Sequence, residues 1–340
     1  MYLSITGVFR RIMHSISIIF LPKTNFNEET NKTHDIAIIG GGMSGIAMAV
    51  NLQKRGFKNF HILEKYPDVG GTWYENRYPG CGCDIGSHFY SFSFSQNPNW
   101  SKRWSEREEI WNYIKKVVSD FKLKDKIKFN TEVKSCDWDE NTKSWKITDQ
   151  NGNVKNYSVV VNAAGALNVP KIPNFKGKEK FTKPNFHTAR WDESISLKGK
   201  RVGIVGTGAS TVQLVPRIAD EVDDLYVFQR SAAWVPARGQ GSYSDFQKNL
   251  FSKMPFLIKM LRFFWFVITE VNYVLIVVRS KISVYARRII ASEMKGRLGR
   301  DRELYGLIPD YAPACKRITP SDAYRKCGNQ KVWEISWHKT

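Results

Sequence analysis

The sequence has 340 residues, enough for two domains, and its 42% of hydrophobic and 13% of aromatic residues exclude a disordered chain. The formal net charge of +20 favours anionic partners such as nucleotides, nucleic acid or an acidic membrane surface, without choosing among them. Five cysteines, an odd number in a long chain, argue against a disulfide framework and favour a reducing compartment, so a cytoplasmic location is expected.

Residues 1–33 form an N-terminal extension whose role the sequence leaves open. Arg10 and Arg11 precede a short apolar stretch, and the first acidic residues are Glu28 and Glu29. The apolar stretch is too short to cross a membrane as a helix. A targeting segment, an interfacial anchor and a loosely packed extension all fit this pattern.

The first structured unit begins at His34 and has the order strand, glycine turn, helix, strand. The β-branched apolar run at 35–39 predicts a buried parallel strand. The glycine turn at 40–45 leads into a helical apolar pattern that ends at Gly56, and the next strand occupies 60–63. This arrangement is typical of a dinucleotide-binding unit.

Three glycines and one acid give this unit its chemistry. Gly40, Gly42 and Gly45 permit a tight turn and the close approach of a pyrophosphate, which the N-terminus of the helix attracts. Glu64 lies 24 residues after Gly40 and can accept hydrogen bonds from ribose hydroxyls. A carboxylate there repels a 2′-phosphate, so the unit predicts FAD or NAD rather than NADP.

A second unit of the same design follows later in the chain. Its strand is predicted at 201–205, its helix at 212–222 and its next strand at 225–228. In its glycine turn Thr211 replaces the third glycine, and a small distortion is expected there. Arg230 lies 24 residues after Gly206, and a cation at that offset favours a 2′-phosphate and therefore NADP(H).

The remaining segments connect or extend these units. An aromatic-rich loop, an amphipathic helix, a strand meander, a buried strand and a proline-marked linker are predicted, in that order, at 70–104, 106–121, 127–148, 159–162 and 170–184. The meander strands are predicted at 127–133, 135–138 and 145–148. After Pro236 the pattern is helical to about residue 307.

The apolar stretch at 256–278 is the main candidate for membrane contact. Lys259, Arg262 and Glu270 interrupt it, and a segment rich in lysine and arginine follows. This favours a helical insertion that contacts a membrane surface over a helix that spans the bilayer.

The sequence GGTWYENRYPGCGCD at 70–84 resembles the Baeyer–Villiger branch of the class B flavin monooxygenases. The matching positions of that motif are Gly71, Trp73, Tyr78, Pro79, Gly80 and Asp84. The family's linker fingerprint is matched by Phe181, His187, Trp191 and Asp192, with Lys183 in place of its glycine. Segments 162–175, 227–238 and 309–317 are also similar to this family.

The resemblance implies an α/β fold with two Rossmann-type dinucleotide-binding domains, each three-layered with a parallel sheet. The FAD domain would occupy 34–167 as its N-terminal part, and the NADP domain 168–238 and 309–340. Residues 239–308 would be a helical insertion in the NADP domain. Members of the family return after the NADP domain to complete the FAD domain, so the first domain is expected to be incomplete here and the chain to be truncated at its C-terminus.

The resemblance also implies a function and two cofactors, FAD and NADPH. The reaction would insert one oxygen atom from O2 into a ketone, or oxygenate the nitrogen of an amine or the sulfur of a sulfide. The alternative is a non-catalytic or uncoupled fragment that binds FAD and NADP. No nucleic-acid-binding module is recognisable, so nucleic acid is not an expected partner.

Carried over to this sequence, the family's motifs imply site residues. Arg317 would stabilise a negatively charged flavin peroxide, and Asp84 would orient Arg317. The predicted FAD-binding residues are Gly40, Gly42, Gly45, Glu64, Lys65, Gly71, Thr72, Trp73, Asp84, Tyr90 and Val133. The predicted NADP-binding residues are Gly206, Thr207, Gly208, Ser210, Thr211, Gln213, Arg230, Ser231 and Lys316.

For some of these positions, a purely structural role without cofactor contact stays open. Without the resemblance, Trp73 and Tyr90 would be core aromatics, and Lys316 and Arg317 a solvated basic pair. Gly82 stands where relatives usually have arginine, which removes a support expected for Asp84. Cys81 and Cys83 lack further ligands at a spacing suited to a metal, so no metal site is predicted.

Overall fold

The computed structural model describes residues 34–272, 281–298, 308–313, 315–324 and 332–336. The predicted N-terminal extension and the end of the apolar stretch, residues 273–278, lie outside the described residues. The described chain is an α/β protein with two separate parallel sheets, a small antiparallel sheet and a group of helices. This confirms the predicted fold class.

The first unit is a four-stranded parallel sheet in the order β3-β2-β1-β7. Its strands are β1 (Ile36–Ile39), β2 (Phe60–Leu63), β3 (Ile127–Lys128) and β7 (Val159–Asn162). Helices α1 (Met43–Lys54), α2 (Thr72–Glu75) and α3 (Arg107–Asp120) belong to the same unit. The helix α1 ends where predicted, since Gly56 has a φ of 86°.

The antiparallel meander consists of β4 (Val133–Asp139), β5 (Ser144–Asp149) and β6 (Val154–Tyr157). The predicted strand at 127–133 is wrong, because Asn130 has a positive φ of 52° and divides it. Its first part, β3, instead pairs in parallel with β2. The sequence does not predict β6, because only Tyr157 of its four residues is buried and no apolar alternation marks it.

The second unit is a three-stranded parallel sheet in the order β10-β9-β8. Its elements are β8 (Arg201–Val205), α4 (Ala209–Ile218), β9 (Asp224–Gln229) and β10 (Val332–Ser336). The helix starts and ends earlier than the predicted 212–222. The strand β10, a short run near the end of the predicted NADP domain, was not predicted; it extends the sheet beside β9.

Three helices follow the second unit: α5 (Asp245–Lys253), α6 (Pro255–Asn272) and α7 (Lys281–Leu298). The helix α6 is fixed to the first unit by Arg262, whose guanidinium donates to the carbonyl oxygens of His88 at 2.6 Å and Ser91 at 2.9 Å. Within the described ranges, no helix is both long enough and apolar enough to cross a membrane.

The side chain of His88 is buried where α5 and α6 meet the first unit. It is 1% exposed, it packs against Tyr243 and Phe251, and among the described residues neither of its ring nitrogens has a hydrogen-bond partner. Burial, reinforced by the nearby Arg262 cation, lowers the pKa of His88 to about 4. The folded protein therefore keeps this imidazole neutral.

We expect this histidine to make the protein less stable in acid. In the unfolded chain the imidazole takes up a proton as the pH falls below about 6.5, but in the folded chain only near pH 4. The free energy of unfolding should therefore fall by about 3 kcal/mol between pH 7 and pH 4 because of this group. In urea unfolding, the free energy of unfolding of the His88→Phe variant should lack this part of the decline between pH 7 and pH 4. An unchanged decline in the variant would contradict the assignment.

Candidate functional site

The glycine turn of the first unit closes at the carboxyl end of β1. The amide of Gly40 donates to the carbonyl of Leu63 at 2.9 Å, and Gly40 has a φ of 104°. A Cβ atom at Gly45 would lie 1.9 Å from the carbonyl oxygen of Gly40. The turn and the start of α1 can therefore pack this closely only with glycine at position 45.

A second glycine pair packs against this turn. Gly71 has a φ of 54°, and a Cβ atom there would lie 3.1 Å from the Cα of Gly42. Backbone without side chains thus lines the space where α1 begins and where α2 begins. Such a cradle fits a pyrophosphate, which needs close approach to backbone amides at a helix N-terminus.

Glu64 is held at the same turn. It is 3% exposed, and its carboxylate accepts from the amides of Gly41 at 2.6 Å and Tyr66 at 2.9 Å. Burial raises the pKa of Glu64, while these two amides lower it. Each carboxylate oxygen has a second lone pair, so Glu64 can still accept hydrogen bonds from ribose hydroxyls.

Two other predicted FAD residues make their contacts outside the glycine turn. Lys65 donates to the side-chain oxygen of Asn168 at 2.5 Å and lies 3.5 Å from the carboxylate of Glu75. Glu75 also pairs with Arg190 at 3.0 Å, so Lys65 belongs to a charged cluster between the first unit and the segments that flank the predicted linker. Val133 packs with a small buried cluster between the meander and the first sheet.

The glycine turn of the second unit repeats the first. The amide of Gly206 donates to the carbonyl of Phe228 at 2.8 Å, and Gly206 has a φ of 103°. Among the described residues other than the chain neighbours, no atom lies within 4 Å of a Cβ built at Gly206 or Gly208, so this turn is more open than the first. Thr211 is 5% exposed and occupies the position of the third glycine inside α4.

The strand pairing corrects one detail of the sequence comparison. Ile39 pairs with Leu63, and Val205 pairs with Phe228. The residue after Phe228 is Gln229, so Gln229 and not Arg230 occupies the position equivalent to Glu64. Glu64 and Arg230 lie at the same sequence offset from the first glycine of their turns. This offset is misleading, because the second unit has one residue fewer between its glycine turn and the end of its second strand. An amide at this position carries no charge to repel a 2′-phosphate, and the exposed Arg230 follows it directly.

Other predicted NADP residues meet beside this turn. The hydroxyl of Thr207 donates to the carbonyl of Ser231 at 3.2 Å. The ammonium of Lys316 donates to the hydroxyl of Ser231 and lies 4.6 Å from the ring centroid of Tyr311. Segment 315–324 therefore brings a cation to the edge of the second glycine turn.

The predicted catalytic residues, Asp84 and Arg317, are in contact although 233 positions separate them in the sequence. The guanidinium of Arg317 lies 3.3 Å from the carboxylate of Asp84. The side chain of Asp84 is 9% exposed and that of Arg317 is 63% exposed. The pair thus presents a cation, fixed at one end, to the open space beside the first unit.

Two aromatic residues border this pair. The indole N–H of Trp73 donates to the hydroxyl of Tyr90 at 3.2 Å, and the rings meet edge to face with centroids 5.6 Å apart. Burial raises the pKa of Tyr90, and its hydrogen bond with Trp73 and the charge of Arg317 oppose that rise. Both side chains pack with the hydrophobic core of the first unit, and their contact with a flavin stays a prediction.

The loop that carries Asp84 is supported without an arginine at position 82. A Cβ atom at Gly82 would lie 3.2 Å from the carbonyl oxygen of Ser105, so a side chain there would crowd the loop. Support comes instead from Gln213, which donates to Asp84 at 2.9 Å, and from Arg238, which donates to the carbonyl of Cys83. Sequence reasoning did not identify Arg238, because a half-buried arginine and a fully exposed one look alike in a sequence.

The two cysteines of this loop are buried thiols. Burial raises the pKa of Cys81 to about 11 and that of Cys83 to about 12. Both are therefore protonated and poorly nucleophilic at neutral pH. Among the described residues, no group of three or more His, Cys, Asp or Glu is placed to hold a metal ion.

The sequence is similar to a known protein family and to curated proteins. The sequence model of the pyridine nucleotide-disulphide oxidoreductase family matches residues 37–246. A Baeyer-Villiger monooxygenase of Streptomyces coelicolor is 37% identical over 298 residues, which are 88% of this chain and 57% of that protein. One from Pseudomonas aeruginosa is 36% identical over 290 residues, 85% of this chain and 55% of that protein. The chain spans little more than half the length of these relatives.

A solved structure has the same arrangement of elements. Cyclohexanone monooxygenase with bound ε-caprolactone superimposes with a TM-score of 0.78 at 27% identity, over 89% of this chain and 67% of that one. The structure of OTEMO with FAD and NADP superimposes with a TM-score of 0.79 at 25% identity, over 89% and 65% of the two chains.

Proposed function

Because the chain belongs to the pyridine nucleotide-disulphide oxidoreductase family, we propose that it acts as an FAD-dependent, NADPH-consuming monooxygenase. The reaction transfers one oxygen atom from O2 to a small organic substrate. The contact between Asp84 and Arg317 at 3.3 Å carries this proposal. It holds the Arg317 cation, which segment 315–324 carries, at the open side of the first nucleotide unit.

The residues present fit both cofactors. The adenosine and pyrophosphate of FAD would lie on the cradle of Gly40, Gly42 and Gly71, with Glu64 accepting from the ribose. NADPH would lie on the open turn at Gly206, with Lys316 and Arg230 as the nearest cations. When bound, FAD supplies two-electron transfer from NADPH and the reaction with O2.

The chain itself contributes position and charge. Arg317 supplies a positive charge for the negative charge that develops during oxygen transfer. Asp84 restrains one end of that guanidinium, which reduces the reorganisation needed at the moment of reaction. Trp73 and Tyr90 cover one side of the space and limit the access of water.

We propose a ketone as the substrate class, with oxygenation of an amine or a sulfide as the second candidate. The family relatives named Baeyer-Villiger monooxygenases and the caprolactone complex support the ketone. Cyclohexanone, NADPH and ¹⁸O2 supplied to the FAD-loaded protein should yield a lactone with one ¹⁸O atom. NADPH consumption without labelled lactone, but with labelled sulfoxide from a sulfide, would favour the second candidate.

Arg230→Ala should weaken the preference for NADPH over NADH. Losing a charge-assisted contact to the 2′-phosphate costs roughly 1.5–3 kcal/mol. The ratio of the NADH and NADPH dissociation constants should fall by the corresponding factor, measured by titration. Arg201→Ala removes an exposed arginine from the opposite end of β8 and should leave this ratio unchanged. An equal effect of both variants would show that Arg230 acts only through net charge.

We further propose a cytoplasmic location with peripheral contact of α6 to an anionic membrane surface. One face of α6 exposes Phe256, Met260, Phe263 and Phe264, each at least half exposed, and Lys259 lies among them. Apolar side chains beside basic ones suit the boundary of an anionic bilayer.

Sedimentation with vesicles tests this contact. The protein should sediment with phosphatidylserine-containing vesicles and much less with pure phosphatidylcholine vesicles, and 1 M salt should weaken the binding. Phe263→Ser with Phe264→Ser should release it, whereas Phe246→Ser, an exposed phenylalanine on α5, should not. Equal binding to both kinds of vesicle, or none, would refute the contact.

A further inference from the structure

Helix α4 of the second unit lies directly against the loop of the first unit that carries Asp84. Gly80 in that loop has a φ of 80°, and a Cβ atom there would lie 2.5 Å from the backbone oxygen of Gln213. The side chain of Arg217, one turn further along α4, would be 2.7 Å away. The loop can approach the helix this closely only because residue 80 is glycine.

The side chain of Gln213 uses both ends of its amide on this loop. Its Oε1 accepts from the hydroxyl of Tyr78 at 2.8 Å and from the amide of Gly82 at 3.2 Å. Its Nε2 donates to the carbonyl of Gly82 at 3.0 Å and to Oδ1 of Asp84 at 2.9 Å. A primary amide has two N–H groups and two lone pairs, so these four hydrogen bonds use its full capacity.

This arrangement disagrees with the sequence-based prediction that Gln213 binds NADP. A nucleotide that contacted this amide would have to displace one of its hydrogen bonds, and of its partners Tyr78 is buried and Gly82 is half-buried. The same helix begins at the glycine turn of the second unit, so Gln213 connects that turn to Asp84.

We propose that Gln213 is a positioning residue for Asp84 and not a ligand of the nucleotide. It fixes Oδ1 of Asp84 and thereby leaves Oδ2 for Arg317, at 3.3 Å. The effect of Gln213 on oxygen transfer rests on the proposed function. Its role in holding the Asp84 loop does not.

Gln213→Met keeps the length of the side chain and removes all four hydrogen bonds. Cys81 and Cys83, which are 6% and 5% exposed, report on the loop. Their alkylation by iodoacetamide, followed by peptide mass spectrometry, should accelerate at least about tenfold, as the loss of one or two net hydrogen bonds predicts. The dissociation constant for NADP+ should change less than about twofold, because no nucleotide contact is lost.

Gln150→Met is the matched control. Gln150 also uses both ends of its amide, on Asn130 and Glu132 at 2.7 Å each, but it lies at an exposed turn of the meander. This variant should leave both the alkylation rate and the NADP+ affinity unchanged. If Gln213→Met does not fold, Gln213→Glu serves instead. Its carboxylate can still accept from Tyr78 and Gly82, but it places an oxygen opposite Asp84 and cannot donate to it.

A double variant separates positioning of Asp84 from general support of the fold. The yield of product per NADPH should fall with Gln213→Met in the wild-type background and fall no further in an Asp84→Asn background. Equal falls in both backgrounds would overturn the positioning role. NADP+ binding weakened more than about tenfold, with alkylation unchanged, would make Gln213 a nucleotide ligand instead. Alkylation needs no cofactor, so it tests whether Gln213 holds the Asp84 loop even if the proposed reaction proves wrong.

Discussion

Arg317→Ala is expected to remove oxygen transfer while NADPH oxidation continues. The guanidinium is the cation that Asp84 restrains at the open side of the first unit, and it lies near Tyr90. Removal of one such positioned donor lowers the turnover of an enzyme on the order of 100-fold to 1000-fold. Product per NADPH, measured with cyclohexanone, should fall by that factor, whereas the reduction of the flavin by NADPH does not use this charge and should persist.

Arg77→Ala is the matched control for this prediction. Arg77 forms an ion pair with Glu193 at the same distance of 3.3 Å, but it lies on the exterior and both side chains are well exposed. Its loss should leave the product yield near the wild-type value, because exposed pairs contribute little. Similar losses in both variants would mean that Arg317 acts through stability and not through its charge at the site.

Gly45→Ala is expected to prevent FAD binding and to destabilise the first unit. The added Cβ atom would lie 1.9 Å from the carbonyl oxygen of Gly40 and 3.4 Å from the side chain of Ile38. The oxygen belongs to the backbone of the turn, so either the turn or α1 must move. Overpacking of this kind costs about 3 kcal/mol, which urea unfolding would detect. Because the moved backbone is the pyrophosphate cradle, the purified variant should also lack flavin absorbance.

Gly296→Ala provides the matched helical glycine. Gly296 lies inside α7, and no atom of the described residues outside the helix's own nearby backbone is within 4 Å of a Cβ built there. Alanine should stabilise that helix by up to about 1 kcal/mol and leave flavin binding unchanged. A Gly45→Ala protein with wild-type stability and flavin content would show that the turn is not packed as described.

Local sequence patterns predicted the parallel strands closely. The limits of β2, β7 and β8 coincide with the prediction, because each is a short run dominated by apolar, often β-branched residues beside turn residues. The resemblance to Baeyer-Villiger monooxygenases, which rests on motifs of fixed spacing, is confirmed by relatives at 36–37% identity. The contact of Asp84 with Arg317 follows from the same motifs.

Features decided by long-range packing were not predictable in this way. The half-buried arginines Arg238 and Arg262 contact backbone carbonyls far away in the sequence, and no local pattern marks them. The strand β10 is only five residues long and depends on β9 for its hydrogen bonds. The equivalence of Gln229 with Glu64 required the strand register. The separate roles of the predicted cofactor residues stay predictions.

Anaerobic mixing of the FAD-loaded protein with NADPH tests the central claim most directly. If the two units serve one reaction, NADPH should bleach the flavin absorbance near 450 nm, and NADH at equal concentration should do so much more slowly. Readmission of O2 should then restore the absorbance. A protein that binds no flavin, or whose bound flavin NADPH does not reduce, would contradict the account.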